Sequence, residues 1–172
     1  FFETFSDAAV RRQFEVNLFG TMNVTRAVVP RMRERRSGLI VTLSSVSGLV
    51  SSAGGAVYSA SKFAIEGWME GFAQELAPFG VRSLLVEPGM LRTDFMDRKS
   101  ASFGSIDIPD YAEAIAHYRA FVAAANGNQP GARPVTDIRC GDDDHQQQAE
   151  HIDGQMPFAS LDLFPAVKAP TR

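Results

Sequence analysis

Apolar and small positions recur at spacings of three and four in the first part of the chain: Phe14, Leu18, Met22, Thr25, Val29 and Met32. That period predicts one buried helix face, with Ser6 as the cap and Asp7 suited to the positive end. Pro30 predicts a kink in the last turns, and Gly38 a stop. The pattern then changes. Leu39-Ile40-Val41-Thr42-Leu43 is a short apolar run rich in β-branched residues, which predicts a buried strand. A Ser- and Gly-rich stretch, Ser45 to Val57, leads into a second helix from about Ala60 to Ala77. Its stripe is Ala60, Ala64, Trp68, Phe72 and Leu76, widened by Phe63, Ile65, Met69 and Ala73. Pro78 and Gly80 end it. Val81 to Val86 predicts a second buried strand.

Strand, helix, strand in this order is one βαβ unit, which requires parallel pairing and a right-handed crossover. Neither strand has a clean polar face, as expected where helices cover both sides of a sheet. Residues 90–109 read as loop. Asp110 with Glu113 predicts an acidic capping box opening a helix to about Ala125, closed by Asn126-Gly127. The fold class is α/β, with 1–125 as the ordered domain. Residues 126–172 show neither period and predict an irregular, flexible tail.

Charge supports that division. Residues 1–125 carry 13 acidic and 13 basic side chains, whereas 126–172 carry 7 and 4, so the whole net charge of -3 arises in the tail. So small a charge gives no general attraction to nucleic acid or anionic lipid. Arg31, Arg33, Arg35 and Arg36 read as a solvated helix end suited to the dipole. No apolar run reaches the length of about 18 residues that spans a membrane. A single cysteine, Cys140, makes no internal disulfide, and a cytoplasmic location is expected. Cys140, Asp142, Asp143, Asp144, His145 and His151 fit no standard metal spacing, and no metal is expected. Phe1-Phe2-Glu3 at the start reads as the interior of something longer.

Ligands of a parallel α/β sheet bind beyond the carboxyl ends of its strands. Ser44-Ser45 follows the first strand and Pro88-Gly89 the second. Tyr58 and Lys62 open the helix between them. Residues four apart share one helix face, about 6 Å from each other. An ammonium about 5 Å from a phenol, at an effective dielectric near 20, favours tyrosinate by about 3 kcal/mol. The expectation is a phenol acidified toward working pH and suited to proton transfer at an alcohol or carbonyl oxygen. A Ser44 or Ser45 hydroxyl could hold the same oxygen. Tyr and Lys at this spacing are otherwise an ordinary surface pair.

Tyr58-Ser59-Ala60-Ser61-Lys62 resembles the YxxxK signature of the short-chain dehydrogenase/reductase family. Asn17 in Asn17-Leu18-Phe19-Gly20 resembles the family's helix asparagine. Ser45 stands thirteen residues before Tyr58, as the family serine does. Pro88-Gly89-Met90-Leu91-Arg92-Thr93 resembles the PGxxxT segment beside the nicotinamide. The resemblance implies the C-terminal half of a Rossmann-like, doubly wound parallel sheet. It implies an NAD- or NADP-dependent oxidoreductase acting on a small alcohol or carbonyl compound. Tyr58 would be the general acid/base, and Lys62 would depress its pKa and bind the ribose. Ser45 would orient the substrate oxygen, and Asn17 would hold a water that links Lys62 to solvent. Pro88, Gly89, Leu91 and Thr93 would fix the carboxamide. Taken singly, Asn17 could be a helix-to-loop hydrogen bond, Ser45 one loop serine among several, and Thr93 an N-cap. Phe95, Met96, Phe103 and Tyr111 would line a lid or belong to the core, and His117 would be a wall residue or solvated.

The chain departs from the family at both ends. No Gly-rich TGxxxGxG loop or NNAG segment occurs, so the two strands are expected to expose an edge and apolar faces. Without that amide cradle the 172-residue chain is expected to bind either reduced cofactor weakly. From near Gly131 the sequence reads as a shifted reading frame or a mis-called gene end, which the other two frames would test. The alternative function is a catalytically inactive fragment serving as a subunit-interaction module. Family members pair through the two long helices as homo-oligomers, and Phe14, Phe19, Trp68 and Phe72 are candidates for such a face or for the core.

Overall fold

The computed structural model describes residues 1–91, 94–97, 102–126 and 139–140. The chain divides into two units, Phe1–Gly141 and Asp142–Arg172, and every described residue belongs to the first. After a 3₁₀ turn at Phe2–Thr4, α1 spans Asp7–Phe14 and α2 spans Gly20–Glu34. Between them Glu15–Phe19 is a π-helical turn. Ser6 caps α1 by accepting from the Ala9 amide, as its sequence predicts. Helix α2 runs on through Pro30, so the departure from α geometry falls upstream of the proline. Strand β1 is Gly38–Leu43, α3 is Ala56–Leu76 and β2 is Val81–Val86. The two strands pair in parallel from Gly38 opposite Val81 to Leu43 opposite Val86. The βαβ unit read from the hydrophobic pattern is therefore present.

Leu18, Ile40, Ile65, Met69, Leu76 and Val81 form one buried cluster, with Phe14, Met22, Val29 and Met32 packed on it. The predicted α1–α2 stripe is thus the inward one. The α3 stripe is displaced by one position. Ser59, Ser61, Ile65, Met69 and Leu76 are its buried residues, whereas Ala60 is exposed. Ala64, Trp68 and Phe72 are partly buried against the core, the two rings stacked at 5.5 Å. A full turn of α3 also precedes the predicted start, because Ala56 and Val57 are compatible with a helix and Gly55 starts it without a side-chain cap. Full burial of Ile65 and Met69 is worth about 1.5–3 kcal/mol each. Gly80 turns the chain from α3 into β2 at φ 66, where its α-carbon faces the Arg36 carbonyl.

Only one face of β1 is covered by these elements. Ile40, Thr42 and Ser44 point into the packed side, while Leu39, Val41 and Leu43 are 46%, 54% and 64% exposed. Among the described residues the apolar face and the outer edge of β1 are uncovered, as the sequence led us to expect. Two further expectations are corrected. Arg139–Cys140, placed in an irregular tail by the sequence pattern, pairs antiparallel with β2 at Leu85 and Leu84 and forms β3. Asp110 does not cap a helix with Glu113. Pro109–Tyr111 forms a 3₁₀ turn that feeds α4, Ala112–Ala125, without a side-chain cap. Proline at the first position presets that tighter turn.

Candidate active site

The parallel pairing continues past the ends of both strands. The Ser44 amide donates to the Val86 carbonyl at 2.8 Å, and the Val46 amide to the Pro88 carbonyl at 3.3 Å. The Ser-rich loop and the Pro-Gly segment are thereby held side by side at the carboxyl edge. Ser45 is extended at this point, and its hydroxyl accepts from the Ser47 amide at 3.1 Å. That bond fixes the hydroxyl, which is close enough to the phenol of Tyr58, in the first turn of α3, to favour its ionised form. The sequence-predicted Ser45 and Tyr58 are thus brought together.

Lys62 lies one turn further along α3. Its ammonium donates to the Leu43 carbonyl at 2.9 Å and sits 5.8 Å from the centroid of the Tyr58 ring. The electrostatic outcome differs from the expectation drawn from the sequence. Burial pushes the Tyr58 phenol above its ordinary range, and the opposing influence is the hydrogen bond from Ser45. Lys62 is not what holds it down. The ammonium is committed to the end of β1 and is itself pushed down by burial, which the nearby Glu66 carboxylate partly offsets. The phenol acidified by a cationic neighbour is therefore corrected to a protonated phenol held by a serine.

Asn17 sits in the π-helical turn, a local irregularity frequent at functional sites. Its side-chain amide donates to the Ser61 hydroxyl at 3.0 Å, and that hydroxyl donates to the Tyr58 carbonyl at 2.7 Å. Asn17 is therefore tied to the first turns of α3, beside Lys62 in sequence. Ser61, fully buried, is the hub of this link. Its position in register with Ile65 and Met69 was the available signal, obscured because a serine does not count in a hydrophobic stripe. Ser44 was named with Ser45 from the sequence, whereas Glu66 escaped it. Among the described residues both carry buried oxygens, Ser44 Oγ and Glu66 Oε1, without a hydrogen-bond partner.

Pro88 and Gly89 follow β2 after Glu87, and Leu91 lies just beyond. Thr93 and the group Cys140, Asp142, Asp143, Asp144, His145 and His151, for which no metal is expected, lie outside the described residues apart from the backbone of Cys140. Phe95 brings its ring within 5.7 Å of Tyr58, though it is 60% exposed. Phe103 stands edge-on to Tyr118, and Tyr111 stacks on Phe1 and donates to Glu3. These two therefore join the N-terminal turn and α4, while Phe95 faces the candidate site. His117 is exposed on α4. Among the described residues no cluster of three metal-ligating side chains occurs, and no helix is long and apolar enough to cross a membrane.

Comparison with known proteins identifies the family. Residues 1–103 match the family described as short chain dehydrogenase, and the chain belongs to that family. It is 38% identical over 112 residues to a 3-ketodihydrosphingosine reductase of Bacteroides thetaiotaomicron, covering 65% of this chain and 42% of that protein. It is 40% identical over 116 residues to human retinol dehydrogenase 8, covering 67% and 37%. A crystal structure of a short-chain dehydrogenase from Streptomyces avermitilis superimposes with TM-score 0.61 at 41% identity, covering 76% of this chain and 46% of that one. A short chain dehydrogenase from Burkholderia cenocepacia in complex with NADP gives TM-score 0.51 at 33% identity, covering 69% and 47%. The chain spans less than half the length of these relatives. Its α/β architecture is that of a partial Rossmann fold, and the family is one of oxidoreductases.

Proposed function

We propose that Asn17, Ser45, Tyr58 and Lys62 form the catalytic end of an NAD(P)-dependent enzyme that interconverts an alcohol and a ketone or aldehyde. One observation carries this proposal: Tyr58 and Lys62, one turn apart on α3, meet the Ser45 loop at the mouth of two parallel strands, with the Lys62 ammonium 5.8 Å from the Tyr58 ring and the Ser45 hydroxyl acting on its phenol. The NADP named for one structural relative supports the cofactor class without choosing between NAD and NADP. Retinol and ketodihydrosphingosine, named for two relatives, are an alcohol and a ketone, in keeping with the substrate class.

The residues fit one end of that cofactor. Tyr58 and Lys62 present polar groups where the Ser45 loop meets Pro88, which the 3.3 Å bond from Val46 holds in place. Lys62, Tyr58 and the segment Pro88, Gly89, Leu91 and Thr93 would hold the nicotinamide and its ribose. The sequence contains no Gly-rich phosphate loop, so the fit is to the nicotinamide end alone. When bound, the cofactor supplies or accepts hydride at the substrate carbon.

Ser45 donates to the substrate oxygen and fixes it against Tyr58. Tyr58, protonated in its buried position, gives a proton to that oxygen in the reductive direction and recovers it in the oxidative one. Lys62 keeps a positive charge next to the phenol as negative charge develops there. Asn17, through Ser61, keeps the first turn of α3 and its tyrosine in register with the Ser45 loop. A homo-oligomer is proposed for the active form. The test uses the full-length protein carrying this chain, with NADH and NADPH against a panel of ketones and aldehydes. Carbonyl-dependent loss of reduced-cofactor absorbance is expected, and none with any member of the panel would count against the proposal.

A further inference from the structure

An aromatic ring lies on the turn from which α3 starts. Gly54 adopts φ 84, in the left-handed region that glycine enters freely. A methyl group placed on its α-carbon would meet Cε2, Cζ and Cδ2 of Tyr118 at 3.1, 3.1 and 3.2 Å. Three nearly equal distances place the face of the ring, and not a single edge atom, over the glycine. Gly55 comes next. Its amide donates to the Ser52 carbonyl at 3.0 Å, and its carbonyl accepts from the Ser59 amide at 2.8 Å, which opens the α3 ladder. No side chain caps this end of α3. The opening turn, which carries Tyr58, therefore lacks the pinning that a cap gives.

Tyr118 is itself held. Phe103 meets it edge-on at 6.0 Å, and Phe121 stacks on it at 6.4 Å. Phe103 is tied in turn to the N-terminal turn. Its carbonyl accepts from the Thr4 hydroxyl at 3.4 Å, and the Ser105 and Ile106 amides donate to the Thr4 carbonyl at 2.9 and 3.0 Å. Helix α4 also touches the 3₁₀ turn Asp94–Met96, whose Phe95 packs against Tyr58. We propose that Tyr118 is a positioning residue for the reaction proposed above: its ring braces the Gly54 turn and so fixes the opening turn of α3, where Tyr58 meets the Ser45 loop. The brace is apolar. The three ring carbons that cover Gly54 are present in phenylalanine as well, so the Tyr118 hydroxyl takes no part. The middle of α3 is held separately, by the burial of Ile65 and Met69. Asn17 and Ser61 hold the Tyr58 carbonyl, and Tyr118 holds the chain that leads into it. The catalytic consequence rests on the role proposed for Tyr58, whereas the brace does not.

Hydrogen exchange in the 172-residue chain reads the brace directly. In Tyr118→Leu the Ser59 amide is expected to exchange roughly five- to tenfold faster relative to the Met69 amide in the buried middle of α3. Tyr118→Phe, which keeps the three ring carbons, is expected to match the parent. A Ser59-to-Met69 ratio that stays at the parental value in Tyr118→Leu overturns the proposal. A residue that only adds to overall stability would speed Met69 at least as much as Ser59. In the full-length protein carrying this chain, kcat with a carbonyl substrate is expected to fall roughly ten- to a hundredfold in Tyr118→Leu. KM for the reduced cofactor is expected to hold, and Tyr118→Phe to restore kcat. An unchanged kcat in Tyr118→Leu overturns the positioning role. Should Tyr118→Leu not fold, Tyr118→Met carries both measurements with the same expectations. Turnover that survives Tyr58→Phe would sink the proposed function and leave the Ser59 exchange result standing, so the two failures are distinguishable.

Discussion

Replacing Ser45 by alanine removes the hydroxyl that opposes the effect of burial on Tyr58. Ser45 is the group that favours the ionised form of Tyr58, and desolvation acts in the other direction. A hydrogen bond to a charged acceptor is worth about 1.5–3 kcal/mol. Tyr58 is only partly buried, so solvent replaces some of that loss and about 1–1.5 kcal/mol is the appropriate figure. The ratio of tyrosinate to tyrosine at a given alkaline pH then falls roughly five- to twelvefold. The chain has three tyrosines, so the titration is run in a Tyr111→Phe, Tyr118→Phe background, where tyrosinate absorbance reports Tyr58 alone. Ser45→Ala is expected to move that curve to higher pH, and Ser45→Thr, which keeps the hydroxyl, to leave it nearly unmoved. An unmoved curve in Ser45→Ala, or one displaced to lower pH, would refute the reasoning, because Ser45 would then not be the donor to the phenol.

Three further outcomes follow from the packing. Ser61→Ala removes the acceptor of the Asn17 amide and the donor to the Tyr58 carbonyl, and is expected to lower unfolding stability in urea by about 1–3 kcal/mol. Gly80→Ala would force a side chain into φ 66 and within 2.6 Å of the Arg36 carbonyl, and should cost about 1–3 kcal/mol by the same measurement. Burial raises the Tyr58 and Tyr118 phenols, so the stability they contribute is whole below about pH 10 and is lost above it, as the unfolded chain ionises first. Lys62, pushed down, has the opposite sign, since its contribution is present above about pH 10.5 and lost as pH falls. Urea midpoints measured across this alkaline range should fall less steeply in a Tyr58→Phe, Tyr118→Phe chain than in the parent.

The βαβ unit was legible because its signals are local. The β-branched run before Thr42 and the Pro78–Gly80 stop each declare themselves within a few residues. Parallel pairing then follows from the length of the connection. The α3 stripe was misread by one position because Ser59 and Ser61 are buried and polar, and a hydrophobic pattern skips them. The burial of Ser61 is permitted by a partner distant in sequence, Asn17, and no window of the chain contains both. The same reason hid β3, whose two residues pair with β2 across more than fifty positions. The candidate site was visible as a spacing, Ser45 to Tyr58 to Lys62, but its electrostatics were not. Spacing puts an ammonium near a phenol. It does not show that the ammonium is bound to the Leu43 carbonyl or that the phenol is buried, and those two facts reverse the expected direction for Tyr58.

The most direct measurement compares Tyr58→Phe with the parent in the full-length protein, in turnover of a carbonyl substrate and in binding of the reduced cofactor. Turnover is predicted to vanish while binding is largely retained, since only the transferable proton has been removed. Turnover that survives the substitution would contradict the account by taking the phenol out of the chemistry.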